Sequence, residues 1–449
     1  MKIIKLITKF LFLYLALIAL FMVSLILVSL IPSETIKDNI KSAIPTLMDE
    51  GDYPRVNGKH KTDRVSNYAE SIILNIIFCI DESNPIESAL RANLYQNTTE
   101  YDADNGRVAA LADLSKNNLQ SNAQYPRYWH GYMVIFRPLL FFIPYLSIRK
   151  VLQITFYLLF SIVLSTMSSK LSIFSALAFS LSIILVNISV IPLSIHFSVV
   201  FIISFLFMIF ILLFPHLPME RMFMTFFIIG ALTSFMDLLT APLVTFGLPA
   251  ITLLLLRDKM RISGTLKESL TLLLKTGGAW AAGYILLWGT KWILASMIFK
   301  ENIILQGIQA VTERISHEIP FGEVTHISPL DALIRNIQTL YTYTFTNYRI
   351  ILVAIPSICF VIFTVLFWHR KKNNLLFPIL LMLVGLTPYF WFGFAANHSY
   401  IHNYFTFRIQ AITIFAFLCA YGYSIDWVKL TTDIKTLHID WKKIRIKKR

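Results

Sequence analysis

Residues 10–31 read FLFLYLALIALFMVSLILVSLI, an apolar run of 22 without a single charge. About 20 such residues suffice for a helix to cross a bilayer, so Phe10–Ile31 is expected to be a transmembrane helix. About a hundred mostly polar residues follow before the chain returns to apolar sequence for good. This layout puts a sizeable polar segment on one side of the membrane, tied to a bundle of later spans. A simple channel or a repeat-built carrier has little use for such a loop. An enzyme acting on a lipid-linked substrate at the membrane surface does. The run exceeds the roughly 7–15 residues of a signal-peptide core, and no A-x-A-like site follows Ile31-Pro32-Ser33, so it is expected to remain as an uncleaved anchor.

The chain is 56% hydrophobic with a mean hydropathy of +0.63, which together with several further apolar runs predicts a polytopic membrane protein. Its net charge is +14. In a soluble protein that would point to nucleic acid; here basic residues collect at membrane flanks, and no nucleic-acid partner is expected. Between Ser33 and His130 the balance reverses to 14 acidic and 10 basic residues. Cys79, Cys359 and Cys419 are the only cysteines. They provide neither a disulfide framework in the loop nor a C-x-x-C metal motif.

Lys and Arg set the orientation. Lys2, Lys5 and Lys9 precede the first span, Arg257, Lys259 and Arg261 form one loop, Arg370, Lys371 and Lys372 another, and a basic run ends the chain. Placing all of these in the cytoplasm requires about ten spans: 10–31, 151–169, 172–191, 197–214, 221–237, 240–256, 275–299, 350–368, 375–394 and 409–428. The apolar stretch from Tyr132 to Leu146 is short and interrupted by Arg137-Pro138. It is expected to be interfacial or re-entrant, where protein can cover irregular backbone. The predicted organisation is a cytoplasmic N-terminus and first helix (1–31), an extracytoplasmic loop (32–150), a bundle (151–299), a second outer loop (300–349), further spans (350–428) and a basic cytoplasmic tail (429–449). Helical runs are expected over Tyr68–Ile80, Ile86–Tyr95, Ile303–Val311 and Pro329–Tyr341. A break is expected near Pro320, with polar connections at 97–105 and 117–124. No internal repeat is evident, which disfavours transporter folds made of duplicated halves.

Four clusters on the outer side carry candidate chemistry. Asp63 precedes an apolar helix and Glu70 lies seven residues on, about two turns, so both are expected to share a helix face. Such a pair offers a general base or a metal ligand, although for Asp63 alone helix capping is the plainer reading. Tyr128, Trp129 and His130, followed by Arg137, Arg149 and Lys150, combine aromatic faces suited to sugars with guanidinium groups suited to phosphate. Interface anchoring is the plainer reading. Asp237 sits at an outer turn and Lys291 about two turns inside its span; ionisable groups at such depth are often functional. His398 and His402 are four apart, so on a helix they share a face, as metal-binding pairs do. Hydrogen bonding of sugar or phosphate by His402 and Arg408 fits better. No P-loop, Rossmann or G-x-S-x-G pattern occurs in a supporting context, which favours a substrate already activated on a lipid.

The lone first span, the long outer loop with amphipathic helices, about ten spans and basic residues at the outer membrane edge resemble the GT-C class of integral-membrane glycosyltransferases. The Tyr128–Gly131 and Asn397–His402 segments also look like those of membrane proteins of Gram-positive bacteria associated with surface polysaccharides. The resemblance implies an all-α, GT-C-like polytopic fold in a bacterial plasma membrane. It also implies a polyprenyl-phosphate sugar donor and a cell-surface glycan or glycolipid acceptor. A carboxylate of the first outer loop would serve as base or metal ligand. Asp63, Glu70 and Asp49 are the positions that match, whereas Glu34 and Asp38, nearest the first span, lie in a plain amphipathic stretch. Arg137, Arg149 or Lys291 would hold the phosphate. The cofactor is left open, with a divalent metal compatible. The rival expectations are a transporter or flippase of lipid-linked glycans, and a non-catalytic component of a polysaccharide assembly complex.

Overall fold

The structure is a computed structural model that describes residues 2–56, 61–97, 106–262, 265–319, 325–344 and 376–433. The described residues are almost wholly helical; among them strands are limited to two short antiparallel pairs, Asn93–Leu94 with Ala123–Gln124 and Glu318–Ile319 with Thr325–His326. Among the described residues seven segments are long and apolar enough to cross a membrane: Ile4–Ser29, Tyr145–Lys170, Ile195–Leu213, Met219–Met236, Lys267–Phe299, Phe377–Phe394 and Asn403–Tyr423. This is the build of a helical membrane protein.

The first helix, α1 (Lys2–Ser29), stops just before Pro32, which cannot continue it. The polar segment then folds as α2 (Ser33–Lys41), α3 (Ile44–Glu50), α4 (Asn67–Phe78), α5 (Pro85–Arg91) and α6 (Gly106–Asn117). The last of these was not expected from its weakly patterned sequence. The stretch Tyr132–Leu146 resolves into a short helix, α7 (Met133–Phe142), a Pro144 corner, and the start of α8 (Tyr145–Lys170). The second apolar span thus begins at Tyr145 rather than at 151.

The helices α9 (Ile173–Leu185), α10 (Ile195–Leu213), α11 (Met219–Met236) and α12 (Val244–Lys259) follow. With 13 residues, α9 is shorter than the expected 172–191. Asn187 turns the chain at φ 69° and a single 3₁₀ turn, Ile191–Leu193, leads into α10. A capping box of Thr265 and Glu268 starts α13 (Leu266–Phe299), much longer than 275–299. Next come α14 (Ile303–Ile315), opened by the Asn302 side chain, and α15 (Pro329–Thr344). The expected span 350–368 and the break at Pro320 lie outside the described residues, as do 98–105 of the first polar connection. The stretch 375–394 is two helices, α16 (Leu376–Gly385) and α17 (Thr387–Phe394), divided before Pro388. The short α18 (Ala396–Ile401) and α19 (Asn403–Thr406) precede α20 (Ala411–Tyr423).

Two glycines let α11 and α13 pack closely. A methyl group on Gly230 would collide with the Trp280 carbonyl, and one on Gly283 with that of Phe227, the close backbone approach that small residues give membrane helices. The connections sort to two ends of the bundle. At one end Lys9 pairs with Glu220 at 2.6 Å and Phe174 packs on Trp427. At the other, polar end, Arg91 pairs with Glu301 at 2.8 Å, and Thr62 O accepts from Asn187 and Arg408. Asn397 donates to the Glu318 carbonyl there as well.

Candidate functional site

The polar end is organised around buried acids. Ser66 caps α4 by accepting from the Ala69 N–H at 3.3 Å, which places Glu70 in the first turn. Glu70 is wholly buried. Its Oε2 accepts from Tyr145 Oη at 2.6 Å, and its Oε1 accepts from Ser194 Oγ at 2.7 Å and the His196 N–H at 3.0 Å. Three donors on one carboxylate satisfy a buried charge and pin α4 to α8 and α10. Asp63 is not on α4 at all. It ends the 3₁₀ turn Lys61–Asp63 and accepts from Asn187 Nδ2 at 3.1 Å, with Arg408 close by. The helix face expected to carry both Asp63 and Glu70 therefore does not form. Asp49 is exposed at the end of α3.

The polar seam continues from Glu70 to Asp237. The His196 ring lies 3.0 Å from Thr240 Oγ1, and the Thr240 N–H reaches both carboxylate oxygens of Asp237 at 3.1 Å. The turn that allows this contains Leu239 at φ 67°. A branched side chain in that region is costly, and such strain gathers at functional sites. The same turn presents Leu239 O to His398 Nε2 at 2.8 Å. Nε2 must then carry the proton, which leaves Nδ1 as an acceptor. That Nδ1 is buried without a partner.

Two more orphaned atoms gather here. Tyr128 is 2% exposed, its ring stacks on Trp288 at 5.8 Å, and its hydroxyl has no partner. Arg314, in the last turn of α14, donates to Ala310 O at 2.9 Å, while its buried Nε bonds nothing. Arg314 and Asp237 both act electrostatically on Tyr128 and on Tyr284, and Arg314 acts on His398 and His402. The rings of those two histidines lie 4.9 Å apart. Burial pushes the Asp237 carboxyl up to about 7, against the pull of the Thr240 N–H. It pushes the Tyr128 hydroxyl up to about 12, and it holds His402 down at about 4 and His398 well below the usual imidazole range. Near neutral pH the cluster therefore holds two neutral imidazoles, one guanidinium and an acid poised to exchange a proton. Buried polar atoms without partners demand an explanation; a bound polar ligand supplies one.

Several residues singled out in the sequence have structural work instead. Arg137 is fully buried and donates to Val28 O (2.7 Å), Ile31 O (2.7 Å), Ile77 O (3.1 Å) and Ser33 Oγ (2.7 Å). It ties the ends of α1 and α4 and has no face turned to a phosphate. Arg149 grips both oxygens of Glu50 at 2.9 and 3.1 Å and Asn67 Oδ1 at 2.6 Å, so its charge is matched. Trp129 is fully buried with its indole N–H on Leu287 O, so it offers no face to a sugar. His130 is satisfied at both nitrogens by Tyr132 Oη and Tyr125 O, each at 2.8 Å, and burial holds it down at about 3. Lys291 donates to Leu90 O at the end of α5, against the Trp129 ring. Arg408 donates to Tyr404 O and Thr62 O, its guanidinium over the Phe197 ring at 4.3 Å, while its Nε, like that of Arg314, has no partner.

Asp237, Tyr128, His398 and His402 are thus brought together. Sequence reasoning missed Arg314, His196 and Tyr284. His196 carried a usable signal, a histidine at the edge of the apolar run 197–214. Arg314 looked like one more charge on an amphipathic helix. Among the described residues no three His, Cys, Asp or Glu side chains are grouped as metal ligands. No protein-family model, no curated protein and no solved structure matches this chain.

Proposed function

We propose that this chain is a GT-C-like membrane glycosyltransferase. It moves a sugar from a polyprenyl-phosphate donor to a cell-surface glycan or glycolipid on the extracytoplasmic face of a bacterial plasma membrane. The observation that carries the reading is the group of orphaned polar atoms beside Asp237: Tyr128 Oη, Arg314 Nε and His398 Nδ1. Arg314 and the Tyr128 hydroxyl take the donor phosphate and stabilise it as it leaves. His398 Nδ1 accepts a hydroxyl of the acceptor sugar, and Asp237 takes the proton of the attacking one. The acceptor oxygen bonds to the anomeric carbon as the bond from that carbon to the phosphate oxygen breaks. Polyprenyl phosphate departs, and a single displacement inverts the sugar carbon. The base thereby moves from Asp63 and Glu70 to Asp237, which lies beside the orphaned atoms and whose carboxyl burial pushes up to about 7.

The topology belongs to the same proposal. Ten crossings comprise the seven long segments, α9, α12 and the stretch 350–368. The separation of the connections to two ends supports this alternation, with Lys5, Lys9, Arg257, Lys259 and Arg261 at the cytoplasmic end and the polar end outside. Both termini are then cytoplasmic.

The test uses purified full-length protein in vesicles that carry a polyprenyl-phosphate sugar labelled in the sugar, with a glycan acceptor outside. The label should leave the lipid and join the acceptor. Movement of intact labelled lipid between leaflets without cleavage would make the protein a flippase instead.

A further inference from the structure

At the end opposite the polar cluster, α1 and α11 diverge around a cavity of about 790 Å³ whose lining includes Lys9, Phe12, Leu13 and Ala16 on one helix and Glu220, Arg221 and Met224 on the other. That volume lies in the roughly 300–1,000 Å³ range of ligand pockets. Phe12, Leu13, Ala16 and Met224 form an apolar floor, and the charged residues stand at the membrane-boundary end of both helices. The only acid in the lining, Glu220, is matched by Lys9 at 2.6 Å. Arg221 is exposed, and its side chain has no hydrogen-bond or ion-pair partner among the described residues. Lys5, one turn before Lys9 on α1, is also exposed. The rim thus carries surplus positive charge above an apolar slot that opens sideways. Basic pockets between transmembrane helices take anionic lipid head groups.

We infer that this groove binds one anionic phospholipid, its acyl chain lying against Phe12, Ala16 and Met224 and its head-group phosphate on Arg221. The site is independent of the glycosyl-transfer reading. The slot also explains why Phe12 on α1 is exposed: lipid, not protein, completes its packing there.

The experiment takes full-length protein in nanodiscs of equal parts phosphatidylcholine and phosphatidylglycerol and counts retained lipid by native mass spectrometry. Wild type should keep one phosphatidylglycerol. Arg221→Gln should retain it at least about fivefold less, the effect of one basic residue. Ala16→Phe, which fills the floor, should lose it as well. Arg221 and Ala16 are both exposed, so these changes should leave folding intact, and the thermal midpoint of each variant in lipid-free detergent should match wild type. Retention of phosphatidylcholine as readily as phosphatidylglycerol, unchanged retention in both variants, or dimerisation through this groove would each overturn the assignment.

Discussion

Arg314 and Asp237 illustrate how a residue's meaning depends on what is left unpaired around it. Arg137 and Arg149 looked like stronger phosphate ligands in sequence, beside a dense aromatic cluster. Each has its guanidinium occupied by protein acceptors, whereas Arg314 keeps a buried N–H free. Arg314→Gln should therefore raise the KM for the lipid donor at least tenfold and leave the fold intact, as read from donor titrations and a thermal melt. A carboxyl at about 7 also sets the pH dependence. The base must be ionised, so the rate should climb about tenfold per unit below pH 7 and level off above it. The two histidines are already neutral across that window and add nothing to the rise. A rate flat from pH 5 to 8 would exclude Asp237 as the titrating group.

Among the elements, α1, α4 and α7 depend on one side chain. Arg137 donates four hydrogen bonds to the ends of α1 and α4 and to Ser33. Bonds from a charged donor contribute about 1.5–3 kcal/mol each, and orphaned carbonyls add a cost when it is removed. Arg137→Met should lower stability by at least about 3 kcal/mol, visible in denaturant or thermal unfolding in detergent. A normally stable variant that had lost only donor binding would restore the phosphate role expected from sequence. Gly230→Leu should likewise force α11 away from α13 and cost about 1–3 kcal/mol from overpacking. Most helices were legible because long apolar runs and Lys/Arg clusters are local signals. Breaks such as the one after α9 were not legible, because Asn187 turns the chain to reach Thr62 and Asp63, 124 or more positions away. The polar residues of the candidate site were partly legible, since Asp237, Tyr128 and His398 stand out by type and place. Which of them lie together depends on long-range packing that no local pattern encodes.

For the whole molecule, the separation of connections to two ends makes a sidedness prediction. Single cysteines introduced at exposed positions Asp49 and Ile86 in a variant lacking native cysteines should react with an impermeant maleimide added to intact cells. One at Lys259 should react only after lysis. Labelling in the reverse sense would place the Asp237 cluster in the cytosol, away from any surface glycan.

The most direct measurement compares sugar transfer per folded molecule for wild type, Asp237→Asn and Glu70→Gln, using a polyprenyl-phosphate sugar in vesicles. Asn still presents an oxygen to the Thr240 N–H, so the turn should persist while the rate drops roughly 10²–10⁴-fold, the usual contribution of a general base. Glu70→Gln should fold less well yet keep its rate within about tenfold. Undiminished transfer by Asp237→Asn, with transfer abolished in well-folded Glu70→Gln, would contradict the account.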